Sequence, residues 1–329
     1  MPPPLLRRRL IATAAALPPA GLARAQGSGA PWAPDRPVRF VVGFPPGGSA
    51  DALSRKLAEP LGRLLGQPVV VDNRPGAGAN IAMDIVAKSP PDGHTIGLGP
   101  VGPHAVNVAL LGSRMPYDAA RDFTPILRVM DQPNILLAHL SVPQGGEAFL
   151  GWLRAHPEEP YGSPGVGSSN HLNGEMLSRA LGLRLQHVPY RGGAAGLADL
   201  MGGQIRLYID NLGGALGLLR AGRFRGVAVS TPERSPAAPE VPTFTELGLP
   251  DIAYASWQGI FAPARLPAPV LRRWNAAFNE VIRDPDIAAW MRENAGTPVG
   301  GGAEEFAAFL ARERTRWAEV VRATGVTVD

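Results

Sequence analysis

No cysteine occurs among the 329 residues of this chain, which rules out disulfides and thiolate chemistry and leaves stability to a packed core. Lysine is nearly absent as well: Lys56 and Lys88 are the only lysines among 32 basic residues. Aromatic residues make up 6% and nowhere alternate with a basic tract, so nothing tracks a phosphate backbone and no nucleic-acid partner is expected. Past the first two dozen residues no apolar run is long enough to cross a bilayer. The chain also lacks the signatures of common chemistry. No serine sits in a G-x-S-x-G elbow. The histidines at 94, 104, 139, 156, 171 and 187 are scattered, with neither H-x-x-x-H nor H-E-x-x-H, so no metal site is expected. "GVGSSN" and "GAGAN" miss both the P-loop lysine and the dinucleotide glycine pattern.

Residues 1–25 read as an export leader. Arg7, Arg8 and Arg9 precede an apolar run from Leu10 to Leu17, and Ala23-Arg24-Ala25 has the small-x-small form of a cleavage site. The arginines fit a twin-arginine signal as well as a general secretory one. The formal net charge is +4, and the leader holds arginines at 7, 8, 9 and 24 and no acid, so the remainder is formally neutral and the high isoelectric point says little about partners. The remaining length is ample for two cores.

What the chain has is alternation. "VRFVVGF" (38–44) and "PVVVDN" (68–73) are β-branched runs bounded by Gly, Pro and Asn, and predict buried strands. Between them Leu53, Leu57, Leu61 and Leu64 recur on one helical face ending at Gly66, with a kink expected at Pro60. The turn "NRPGAG", a helix with Ile81 and Ile85 on one face and a strand at "TIGLG" (95–99) follow. Strand, helix, strand, helix, strand predicts an α/β fold with a mostly parallel sheet. The pattern returns: "EPYGSPGVGSSN" (159–170) repeats the strand and glycine turn, "LQHVPY" stands where "VVVDN" stood, and "IRLYIDN" (205–211) closes the unit. Arg191 follows Gly165 at nearly the interval at which Arg74 follows Gly47. Two copies of one α/β unit are therefore expected. Residues 141–160 predict a helix with Phe149, Leu150 and Leu153 on one side, 226–230 a further strand, 230–248 a Pro-rich surface loop, and 256–264 a return crossing. Helices over 267–284 and 303–324 are expected to cover the first sheet.

The two glycine turns, "FPPGGSAD" and "SPGVGSSN", each leave backbone N–H groups uncovered in front of a helix whose positive end points the same way. In an open parallel sheet ligands collect outside the carboxyl ends of the strands. Facing one another, the turns would hold one small anion such as a carboxylate. Neither carries Lys or Arg, so binding would rest on amides and on the hydroxyls of Ser49, Ser163, Ser168 and Ser169. Blander roles stand beside these. Glycine turns serve chain reversal in most α/β proteins. Ser49 fits a helix N-cap, and Asp51, which would oppose an anion, fits loop shaping or contact with a cationic part of an amphoteric ligand. His171 fits packing, and Asp210, at a strand's end, either fixes a loop or meets a ligand amine or hydroxyl. Arg74 and Arg191 fit loop bridging, and Arg206 fits the surface.

From Asp35 onward the chain resembles the tripartite tricarboxylate transporter substrate-binding proteins, also called Bug receptors. "RPVRFVVGFPPGGSADALSRKLAEPLG", "VVVDNRPGAGANIAMDIVAKSPPDGHTIGLG", "MPYDAARDFTPI", "YGSPGVGSSNHLNGEML", "VPYRGGAAGLADLMGGQIRLYID" and "ELGLPDIAYASWQGIFAPA" carry the resemblance, in order. It implies a two-lobed periplasmic binding protein of the type II-like flytrap kind that closes on a small carboxylate, partly through ordered waters, without a cofactor, and passes it to permease subunits of the transporter. It implicates Phe44, Gly47, Gly48, Ser49 and Asp51 in one lobe and Ser163, Gly165, Gly167, Ser168, Ser169 and His171 in the other, with Asn80, Tyr190 and Asp210 as further positions. The lobes would be 30–130 plus 255–329, and 131–254, in a monomer. "HTIG" at 94–97 and the loop "GPVGPHAVN" depart from the usual pattern where the far end of the ligand is read. Two alternatives stay open: a receptor reporting to a membrane sensor, and a hydrolase using Ser169 or Ser49. A histidine two positions from Ser169 cannot easily turn its ring onto that hydroxyl.

Overall fold

The computed structural model describes residues 32–327, and the expected leader, 1–25, lies outside them. The chain order is β1 (Val38–Val42), α1 (Ser49–Leu65), β2 (Val69–Asn73), α2 (Asn80–Ala87), β3 (Thr95–Pro100), α3 (Asn107–Leu111), β4 (Phe123–Gln132), β5 (Asn134–Ala138), α4 (Gly146–Arg154), β6 (Pro160–Ser163) and α5 (Ser169–Ala180). It continues through β7 (Gln186–Pro189), α6 (Gly193–Met201), β8 (Leu207–Asn211), α7 (Leu212–Arg220), β9 (Arg225–Val229), β10 (Ser256–Pro263), α8 (Ala268–Arg283), α9 (Pro285–Glu293), β11 (Thr297–Gly300) and α10 (Ala303–Thr324).

The strands form two mixed sheets, ordered β11-β4-β10-β3-β1-β2 and β7-β6-β8-β5-β9. In the first, β10 and β11 run against the other strands; in the second, β5 alone does. Setting β11 aside, the sheets share one order: the second strand of the unit outside the first, the third inside it, then an antiparallel strand, then the fourth. The chain leaves the first sheet after Gln132 and returns to it at Ser256. The described residues form one compact unit.

Each sheet is buried on both faces. Leu53, Leu57 and Leu61 of α1 pack with Trp274 and Phe278 of α8 on one face of the first. On the other face α2 and α10 supply Met83, Val86, Phe306, Leu310 and Trp317, so α8 and α10 cover opposite sides. In α1 the structure buries Leu65 and leaves Leu64 half-buried, and the helix runs unbroken through Pro60. The expected apolar face of α2 is displaced: Ile81 is exposed, while Ala82, Met83 and Val86 are buried. Ala79, in the left-handed region with φ 76°, turns the entry to α2, and Cβ directions set by that entry decide which residues reach the sheet. Six elements, α3, β4, β5, α7, α9 and β11, were not anticipated. Asp284 caps α9 by accepting from the N–H groups of Asp286 and Ile287, with Pro285 as its first residue, and β11 then adds to the edge at β4.

The two crossings are joined to each other. The Asn134 Nδ2 donates to the Tyr254 hydroxyl at 2.5 Å, which donates to the Ser169 carbonyl at 2.6 Å. Ser230 Oγ receives the Asn134 N–H at 3.0 Å and donates to the Tyr254 carbonyl at 2.9 Å.

Candidate functional site

Four cross-sheet turn contacts decide where a ligand has room. The β6–α5 turn is driven into the turns before α2 and α3: a Cβ on Gly78 would lie 2.5 Å from the Val166 carbonyl oxygen, and one on Gly102 2.8 Å from that of Gly167. Gly167, at φ 73°, would put a Cβ 1.8 Å from Asn107 Oδ1, so only glycine fits there. What remains is a chamber of about 20 Å³ touching Gly78, Gly102, Ser168, Ser169 and Asn170, room for about one water. The β1–α1 turn is held off its partners. It touches the β7–α6 turn through Pro45, 3.0 Å from a Cβ on Gly192, and behind that contact opens a cavity of about 460 Å³.

The first lobe gives this cavity Phe44 to Ala50, which is the head of α1. The second gives Arg191 to Ala195 at the head of α6, and Asp210, Asn211 and Gly214 at the head of α7. None of the three helices is capped by a side chain; their N-cap residues are Gly48, Gly192 and Asn211. Three sets of orphan N–H donors and three positive dipole ends therefore converge on one space. Leu197, Met201 and Leu218 give it an apolar wall, and Asn170 and Gln258 part of a polar floor. Behind Gly47 to Ser49 a smaller recess of about 110 Å³ is closed by Trp290, Met291 and Asn294.

Of the positions singled out from the sequence, Phe44, Gly47, Gly48, Ser49 and Asp210 line the cavity, and Ser168 and Ser169 line the small chamber. Ser49 is the first residue of α1 rather than its cap, which is Gly48. Asp51 is buried outside the cavity, its carboxylate accepting from the Gly47 N–H at 3.0 Å, Asn73 Nδ2 at 3.0 Å and Arg55 Nε. Burial alone would raise its pKa, but the bonds from Arg55, Gly47 and Asn73 outweigh it and hold the carboxyl below its usual range. Asn80 Oδ1 is taken by Tyr117 at 2.9 Å and Asn107 at 3.2 Å. The Tyr190 hydroxyl donates to Asp199 at 2.9 Å; burial and that carboxylate push it up to about 12.

The hydroxyls of the second turn face inward. Ser163 Oγ meets His187 Nε2 at 2.7 Å. Ser168 Oγ donates to the Gly165 carbonyl at 2.7 Å and accepts the His171 N–H, capping α5. Ser169 Oγ meets Ser256 Oγ at 3.1 Å, not a histidine. His171 stacks on His187 at 3.9 Å and accepts the Gly167 N–H on Nδ1 at 3.3 Å. Burial lowers both rings, to about 4 for His171 and about 3 for His187, so both are neutral at pH 7. Ser163, Gly165, Gly167 and His171 thus build the closed turn and do not reach the open cavity.

Arg191 corrects the expectation that it bridges loops: it lines the cavity, so a cation is present where none was foreseen, while Arg74 pairs with Asp72, only two residues back near the end of β2, at 2.9 Å. Arg206 pairs with the buried Glu159 and lies over the Trp152 ring. Also unforeseen are Asn170, Gly192 to Ala195, Asn211 and Gln258. "YRGGAAG" carried the signal, since it is a glycine turn before a helix like the two that were read. Among the described residues no three His, Cys, Asp or Glu gather as a metal site, and no helix is long and apolar enough to cross a membrane.

The model of the tripartite tricarboxylate transporter family receptor matches residues 53–326. The chain belongs to that family. It is 35% identical over 295 residues to protein BugT of Bordetella pertussis, covering 89% of this chain and 90% of that protein. Among solved structures, Rpa4515 of Rhodopseudomonas palustris with adipate superposes with a TM-score of 0.86 at 35% identity, over 89% of this chain and 99% of that one. MatC from the same organism, with bound malate, gives 0.83 at 31% identity, over 88% and 99%. A tripartite tricarboxylate receptor of this kind is a solute-binding protein, and its α/β, two-sheet architecture is that of periplasmic binding proteins.

Proposed function

We propose that this receptor captures a small carboxylate outside the cytoplasm, in the cavity between two lobes, and delivers it unchanged to permease subunits of a tripartite tricarboxylate transporter. The lobes are 30–130 with 255–329, and 131–254, hinged at the joined crossings of a single monomeric chain. The observation that carries this reading is the convergence of three uncapped helix heads and Arg191 on one cavity, which offers an anion fixed donors from both sides. Relatives of the same fold hold adipate and malate, both small carboxylates. Among the described residues no histidine lines the cavity, which speaks against a serine nucleophile there and supports binding without turnover.

A thermal-shift screen of carboxylic acids tests it. A ligand at a hundredfold excess over its Kd should stabilise the fold by about 2.7 kcal/mol. Gly47 has φ 88° and open space where a Cβ would stand, so Gly47→Val strains the exposed head of α1 without a clash. It should abolish the ligand-induced shift and leave the circular dichroism spectrum unchanged. An unchanged shift in that variant would refute the placement of the site.

A further inference from the structure

One acceptor in the cavity is left over. Asp210, the last residue but one of β8, has 4% of its surface exposed. Its Oδ1 accepts the Asn211 N–H at 2.8 Å, while Oδ2 is buried without any partner. A Cβ on Gly193 would lie 2.6 Å from Oδ2 and one on Gly214 3.7 Å, so glycines at the heads of α6 and α7 keep the space beside that oxygen free of side chains. Two further buried acceptors on the same floor are unpartnered, Asn211 Oδ1 and Gln258 Oε1. The amides can turn and present N–H groups instead. An ionised carboxylate cannot. The helix heads supply donors to one part of a ligand, and Asp210 demands a donor from another part, because a buried acceptor left unmade is costly.

We infer that Asp210 is the specificity-determining residue of the cavity: it selects carboxylates that also carry a hydrogen-bond donor, an ammonium or a hydroxyl, over matched acids that lack one. The inference rests on the carboxylate reading above and names the ligand class within it. The groups facing Asp210 allow this. Arg191 is the other charged side chain lining the cavity. Tyr208, on the same strand, donates to the Gly192 carbonyl and is held neutral by burial. Opposite Asp210 on β5 stands Ile135, the first turn of α7 is Leu212 to Ala215, and Asp51 in α1 is committed to its own bonds. Burial raises the Asp210 carboxyl to about 7, against the Asn211 N–H that lowers it, so it ionises within reach of neutral pH.

The test is isothermal calorimetry with matched acids: succinate, malate and aspartate; adipate and 2-aminoadipate; 3-phenylpropionate and phenylalanine. The wild-type protein should bind the donor-bearing member of a set at least about tenfold more tightly. Asp210→Asn keeps the Oδ1 acceptor for Asn211 and should erase that preference. Binding without preference, or a preference that survives in Asp210→Asn, overturns the inference while leaving the carboxylate reading intact. Failure of every acid to bind the wild-type protein overturns the carboxylate reading and this inference with it. A second readout needs no variant: the affinity for the ammonium-bearing acids should fall between pH 8 and pH 5.5 as Asp210 takes up a proton, and a flat profile overturns the inference.

Discussion

Asp210 sets the clearest residue-scale expectation for the empty protein. Its pKa is raised to about 7 by burial, so its contribution to stability is fully present below the unfolded value, near 3.8, and is lost as pH rises through 7. The gap between those two values corresponds to a ceiling of about 4 kcal/mol. The positive heads of α6 and α7 favour the anion and reduce it. Asp210→Asn stays neutral throughout, so its melting temperature should exceed that of the wild type at pH 8, and the difference should close by about pH 4. A difference that stays constant or widens on acidification would sink the assignment of a strained, buried carboxylate. At this scale the sequence was informative about types and poor about directions. "FPPGGSAD" advertised a glycine turn with free N–H groups at a helix head, and the structure has one, capped by Gly48 and not by the expected Ser49. Asp51 could be assigned to loop shaping because an acid in the first turn of a helix opposes an anion, and its bonds to Gly47, Asn73 and Arg55 make the loop. The inward turn of Ser163, Ser168 and Ser169 was not legible, since it follows from His187, Gly165 and Ser256 being within reach, and those distances exist only in the folded chain.

Between elements, the duplication gives the site its asymmetry. The first turn of each unit faces the second and third turns of the other, so two equivalent mouths exist. One is filled by backbone packed on backbone at Gly78, Gly102 and Gly167; the other is propped open at Pro45. Order and spacing revealed two copies of the unit, and the shared strand order agrees with that. Which turn of one copy meets which turn of the other could not be read from spacing, because it depends on how the sheets are turned by the crossings. Arg191 was therefore assigned to bridging and the head of α6 to no site, although their turn was recognised. The closed mouth has its own prediction. Gly167→Val forces a β-branched residue into φ 73° and a Cβ into the Asn107 amide, so the turns must separate. Small-angle scattering should show a larger radius of gyration, and carboxylates should no longer raise the melting temperature. A variant with wild-type dimensions and a full ligand shift would show that the closed mouth plays no part in bringing the lobes together.

For the molecule as a whole, the decisive feature is that both crossings are tied into one unit. Asn134 leads into the second sheet and Tyr254 leads out of it, and their side chains meet each other and the first residue of α5. A pair of independent linkers would let the lobes twist as well as open. On the proposed hinge, joined crossings would restrict them to one axis, so that closing the cavity would bring the head of α1 to the heads of α6 and α7 in one register. Tyr254→Phe removes a single oxygen that both accepts from Asn134 and donates to Ser169, and leaves the buried Asn134 Nδ2 without that acceptor. The expected cost is about 1–3 kcal/mol for the unmade bonds, measured by urea unfolding at neutral pH, where the Tyr254 hydroxyl, its pKa raised by burial, keeps its proton. Because the phenyl ring keeps its edge contact with Trp317, at 5.0 Å between centroids, packing is preserved and the loss reports the bonds. Stability equal to that of the wild type would mean that the crossings act separately, and the single-axis account of closure would fall with it.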